Sequence, residues 1–116
     1  MGEKSWIGVD FDGTLAKYDG WSHELGEPIP LMLERVRIWL DEGRRVKIMT
    51  ARVSKTTRDT TKDVEQQRIA IENWCSKYLG RRLEVTCEKD YGMIQLWDDR
   101  AVTVQTNTGV LMSIGI

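Results

Sequence analysis

A length of 116 residues predicts one domain and excludes a second catalytic domain, a long linker or a large lid. Hydrophobic residues make up 41% and charged residues 30%, the balance of a globular chain with a real core. Seventeen lysines and arginines against 18 aspartates and glutamates give a net charge of -1, which excludes holding nucleic acid or anionic membrane by bulk charge but not a small nucleic-acid substrate.

In chain order, residues 5–9 are apolar and run straight into Asp10, which suits a buried strand. Residues 13–27, rich in glycine and polar groups, read as a loop. From Pro30 onward, Leu31, Leu33, Val36, Ile38, Trp39 and Leu40 recur mostly at helical spacing; Pro30 fits the first turn and Gly43 the stop. Residues 45–50 read as a second strand and the threonine-rich 54–61 as a loop. Residues 62–79 form an amphipathic helix marked by Val64, Ile69, Ile71, Trp74, Cys75 and Tyr78, with Gly80 at its end. Residues 82–87 are a third strand, 95–98 a very short fourth, and 101–106 a fifth, before a turn at Asn107, Thr108 and Gly109. The alternation implies an α/β chain with a parallel sheet and right-handed crossovers. The link from third to fourth strand has room only for a short helical turn.

The chemistry collects where strands end. Asp10 and Asp12 close the first, Thr50 the second, Lys89 follows the third, and Asp98 and Asp99 close the fourth. In open parallel sheets, ligands bind beyond those carboxyl ends. Carboxylates gathered there repel one another and call for a cation; an all-oxygen set suits Mg²⁺.

These residues resemble a known family. Asp10-Phe11-Asp12-Gly13-Thr14-Leu15 is similar to the first motif, DxDGT[LV], of the haloacid dehalogenase (HAD) superfamily; Thr50 resembles the second, Lys89 the third, and Asp98-Asp99 the paired-aspartate fourth. The likeness runs over residues 5–106 and is nearest to small, capless phage-type or bacterial hydrolases. It implies a three-layer, Rossmann-like HAD fold with a central, mostly parallel five-stranded sheet. It also implies a Mg²⁺-dependent phosphomonoester hydrolase working through an aspartyl phosphate. In that scheme Asp10 is the nucleophile, and Asp12 is general acid and then base. Thr50 hydrogen-bonds a phosphoryl oxygen, and Lys89 supplies charge to the transition state. Asp10, Asp98, Asp99 and the main-chain carbonyl of Asp12 hold Mg²⁺. The Gly13-Thr14 turn offers backbone amides to the phosphate and Ala51 meets the substrate, while Arg52, just past Thr50, either contacts the substrate or braces its loop. Dehalogenases of the superfamily lack an acid at the position of Asp12, so phosphoryl transfer is favoured here.

The family's usual cap insertion points, after the first and third strands, offer only a short flap and no insert. An open site suits a large phosphorylated substrate, and the likeness of 98–100 to nucleotidases and polynucleotide phosphatases points to a nucleotide or nucleic-acid end. A sugar or other small-metabolite phosphatase, a phosphotransferase and a non-catalytic HAD-like binding module are the rivals. A second subunit covering the site, in a homo-oligomer, is the alternative to a large substrate. Lys17, Tyr18, Trp21 and His23 are candidates for the rim, and Lys55 and Arg58 read as a solvated loop. Trp6, Trp39, Trp74 and Trp97 read as packing residues. No signal or membrane segment is visible and Cys75 and Cys87 have no CxxC spacing, so a reducing cytoplasm without a structural disulfide is expected.

Overall fold

A computed structural model describes residues 5–20, 24–55 and 61–114. Strand β1 (Trp6–Asp10) is followed by helix α1 (Pro30–Asp41), strand β2 (Val46–Met49), a single 3-10 turn at Ala51–Val53, and helix α2 (Thr61–Leu79). Strands β3 (Glu84–Thr86), β4 (Met93–Trp97), β5 (Val102–Val104) and β6 (Leu111–Ile114) complete the order.

The fold is α/β with a parallel central sheet in the order β3-β2-β1-β4. That sheet has four strands, not the expected five. β5 instead pairs antiparallel with β6 in a separate hairpin. The turn between them, with Asn107 at φ 64° and Gly109 at φ 76°, returns the chain on itself, so β5 finds its partner locally. The apolar run of β6 was the part not anticipated.

The expected three layers are two among the described residues. Side chains alternate across a sheet, and Ile7, Val9, Val46, Ile48 and Val85 share one face. Both helices bury their apolar sides in the same cluster: Met32, Leu33, Val36 and Leu40 from α1, and Val64, Ile71, Trp74 and Cys75 from α2. The strand order explains this. From β1 to β2 to β3 the chain steps twice in one direction, and right-handed crossovers in one direction put both helices on one side. Leu31, Ile38 and Ile69, marked by periodicity as core, point outward.

The opposite face carries Trp6, Gly8, Lys47 and Leu96, and it is crossed by the connection 87–92 in place of a helix. This strap is fastened at Asp90, whose Oδ1 accepts from Trp6 Nε1 (2.8 Å) and from the Gly92 N–H (2.7 Å). Those bonds, led by that from Trp6, hold the Asp90 carboxyl below the usual range. The buried Lys47 ammonium lies 2.9 Å from Glu84 and 4.4 Å from the Trp6 ring centroid, so its charge is paired and stacked.

Trp74 and Trp6 are buried as anticipated; Trp39 and Trp97 are half-buried and tilt against each other with centroids 5.1 Å apart. Both cysteines are free thiols, and burial pushes Cys75 up to about 12. Among the described residues no helix is long and apolar enough to cross a membrane.

Candidate metal and phosphate site

The chain leaves β1 through a tight turn. The Phe11 carbonyl accepts from the N–H groups of Leu15 (3.0 Å) and Ala16 (2.9 Å), and Gly13 N–H donates to the Ala16 carbonyl. The chain then runs out and back: Lys17 N–H bonds the Glu27 carbonyl, and Ile29 N–H bonds the Leu15 carbonyl, each at 2.8 Å. This small flap is tied to the core by Trp74, whose Nε1 donates to the Gly26 carbonyl at 2.9 Å.

At the carboxyl ends of β1 and β4, oxygens of Asp10, Asp98 and Asp99 lie within 4.8 Å of one another. Gly13 makes the approach possible. A Cβ on it would sit 2.6 Å from Asp99 Oδ2, and its φ of 86° is one that side-chain-bearing residues rarely adopt. Buried Thr14 fixes the register between the strand ends. Its Oγ1 accepts from the Asp99 N–H (3.0 Å) and has one proton to share between Asp99 Oδ1 (3.2 Å) and Asp10 Oδ2 (3.4 Å). Asp98 Oδ1 in turn accepts from the Arg100 N–H at 2.7 Å.

Carboxylates this close to one another repel. The Asp10 carboxyl is pushed up to about 7, first by burial, then by a hydrogen bond with Asp99 and by the charges of Asp98 and Asp99. A proton lessens the repulsion, and a hard divalent cation would do the same. The donor set, all oxygen and drawn from two neighbouring strand ends, fits Mg²⁺.

Asp12 stands apart from this cluster. Its carboxylate is gripped side-on by Arg52, with Nε to Oδ2 at 2.7 Å and Nη2 to Oδ1 at 2.9 Å. Arg52 Nη1 reaches Gln67 Oε1 on α2 at 3.0 Å. Thr50 is buried at the end of β2, and its Oγ1 accepts the Arg52 N–H at 3.2 Å, which starts the turn at 51–53.

A cleft of about 500 Å³ opens over these strand ends. Asp10, Asp12, Thr50, Ala51, Arg52 and Asp98 all line it, together with Tyr18, Cys87 and Arg100. Lys89 is not brought to it. Thr86 Oγ1 accepts the Glu88 N–H (3.0 Å) and turns the chain off the end of β3, while Asp90 is fastened to Trp6. Lys89 between them is exposed, with no carboxylate within ion-pair distance among the described residues. Among the described residues the cations that line the cleft are Arg52 and the exposed Arg100. Tyr18 stands at the rim as expected, and Lys55 is exposed, whereas Trp21, His23 and Arg58 lie outside the described residues. Gln67 is a partner that the sequence reading does not single out; it is half-buried, three residues after Val64 and four before Ile71, on the side of α2 that faces the core.

No family model matches the chain, and no curated protein matches it. A solved structure of a conserved protein coded by a Bacteroides thetaiotaomicron locus is similar, with a TM-score of 0.52 and 22% identity, covering 83% of this chain and 76% of that one. The likeness is one of fold, a chain with a parallel α/β sheet.

Proposed function

We propose that the chain is a Mg²⁺-dependent phosphomonoester hydrolase of the HAD type. The observation that carries this reading is the meeting of Asp10, Asp98 and Asp99 at two adjacent strand ends, with Asp12 two residues on and oriented separately by Arg52. The carboxylates of Asp10, Asp98 and Asp99 would hold the ion, with the Asp12 main-chain carbonyl beside them. Bound there, Mg²⁺ supplies charge to a phosphoryl oxygen and neutralises the acidic cluster.

Asp10 is the attacking carboxylate: an Asp10 oxygen forms a bond to phosphorus as the bond to the leaving oxygen breaks. Asp12 gives that oxygen a proton and later takes one from the water that cleaves the aspartyl phosphate. The Thr50 hydroxyl, already accepting from Arg52 N–H, has its proton to donate to a phosphoryl oxygen. The open cleft accommodates a substrate larger than its phosphate, and a nucleotide or nucleic-acid end is the preferred class, on the likeness of residues 98–100. The outward placement of Lys89 favours a second reading, a phosphate- or metal-binding module without turnover.

Phosphate release from a panel of phosphomonoesters, with Mg²⁺ and with EDTA, separates the two. Mg²⁺-dependent release that Asp10→Asn abolishes supports the hydrolase. Release that persists at full rate in Asp10→Asn removes the aspartyl-phosphate route, and Mg²⁺ binding by an inactive folded chain supports the binding module.

A further inference from the structure

We infer that Arg52 is a positioning residue for Asp12 and not a contact for the phosphoryl group. The inference rests on the hydrolase reading above and deepens it.

An arginine three residues beyond a strand end, lining a cleft, would ordinarily be assigned to the anion. The geometry assigns it elsewhere. The Arg52 side chain is 3% exposed and that of Asp12 21%, so the pair is largely withdrawn from water. Nε and Nη2 form the two-pronged fork that matches a carboxylate, and both prongs are spent on Asp12. To grip a phosphoryl group with that fork, Arg52 would have to let go of Asp12 and leave a half-buried carboxylate unpaired, which is costly.

Both ends of Arg52 are fixed. Its main-chain N–H is held by Thr50 Oγ1, and its Nη1 by Gln67 of α2. Asp12, by contrast, sits in a turn and has no helix or strand of its own to set its rotamer. The orientation of Asp12 is therefore borrowed from α2 through Gln67 and Arg52. The pair also stands between two clefts, the main one and a smaller one of about 180 Å³, which share Asp12, Tyr18 and Arg52. A carboxylate has about four lone-pair sites. Arg52 engages two, which leaves the others on a side chain that lines both clefts for the proton and the leaving group. When Asp12 gives its proton to the leaving oxygen, the carboxylate that results is the species Arg52 is shaped to hold.

The consequence is selective. An alkoxide leaves only with a proton, whereas p-nitrophenolate leaves at neutral pH without one. Loss of Arg52 should therefore injure hydrolysis of alkyl esters far more than of nitrophenyl esters. The test is steady-state kinetics of the Mg²⁺-loaded chain on glycerol 2-phosphate and on p-nitrophenyl phosphate. Arg52→Met should lower kcat on the alkyl ester roughly 100-fold and on the aryl ester about tenfold or less, with KM unchanged on both. Asp12→Asn should show the same selectivity, Gln67→Leu a weaker form of it, and Arg52→Lys partial recovery. A KM rise of equal size on both esters would make Arg52 a phosphoryl contact and overturn the inference, as would an equal fall in kcat on both. If Arg52→Met does not fold, Gln67→Leu decides, and equal effects on the two esters there overturn it. If glycerol 2-phosphate is not turned over, a nucleoside 5′-phosphate serves as the alkyl ester, and wild-type chain that releases phosphate from none of these esters removes the hydrolase reading and this inference together.

Discussion

Asp10 ties the chemistry of the site to the pH dependence of the fold. Unfolded, its carboxyl loses a proton near 3.8; folded and without metal, it keeps that proton to about 7. Between these values the folded chain holds one proton more than the unfolded chain, so stability contributed by this group falls as pH rises through the window. Thermal melts in EDTA should show the melting temperature declining from pH 4.5 to 8, and Asp10→Asn should remove that component of the slope. Mg²⁺ should raise the melting temperature more at pH 8 than at pH 5, because at the lower pH it must displace a proton. Gly13→Ala adds a Cβ 2.6 Å from Asp99 Oδ2 at a φ of 86°. It should cost about 1–2 kcal/mol in stability and weaken Mg²⁺ roughly tenfold or more by displacing Asp99, as titration calorimetry would read. Much at this scale is legible in the sequence. An aspartate at the end of an apolar run marks a strand end, and a glycine three residues later marks the turn that brings Asp99 close. Lys89 is less legible, because whether a lysine three residues past a strand points to the cleft depends on Thr86 and Asp90, and their bonds to Glu88 and Trp6 leave no trace in spacing.

Among the elements, α2 does more than cover the sheet. It supplies Gln67 to Arg52 and Trp74 to the flap and the core, where the Trp74 ring meets Phe11 edge-on with centroids 4.9 Å apart. Trp74→Ala removes that ring and its bond to Gly26 at once and should destabilise by about 3–5 kcal/mol in denaturant melts. Trp74→Phe keeps most of the packing and loses only the hydrogen bond, so a cost of about 1 kcal/mol is expected. The helices and the parallel strands follow from periodicity and breakers, which are local. Layering does not. Nothing in the composition of 87–92 says that it replaces a helix, and only the strand order shows both helices forced to one side. The hairpin was half legible: Asn107 and Gly109 mark the turn, but recognising that β5 belongs to it requires reading the five apolar-rich residues beyond as its partner.

Across the whole molecule, the hairpin and the body are distinct in how they are held. Val102, Val104 and Leu111 are each more than half exposed, and β5 and β6 share no sheet with the other strands. Substituting threonine for Val104 and Leu111 together should therefore leave the unfolding free energy within about 0.5 kcal/mol per site of wild type, as denaturant melts at low concentration would show. The body, by contrast, is closed by an edge strand reached through the strap. β1, β2 and β3 can assemble from neighbouring crossovers, but β4 seats against β1 only after 87–92 has been drawn across two strands. Thr14 and Asp99, 85 positions apart, are bonded partners that cannot meet before that event. The carboxylates of the site thus come together only where β4 is seated on β1, the strand pairing that spans the longest stretch of chain in the sheet, and a chain without that pairing has no place to load an ion. Loading would then act as a latch on that pairing, slowing hydrogen exchange at the amides of β4 while leaving those of β2 nearly untouched.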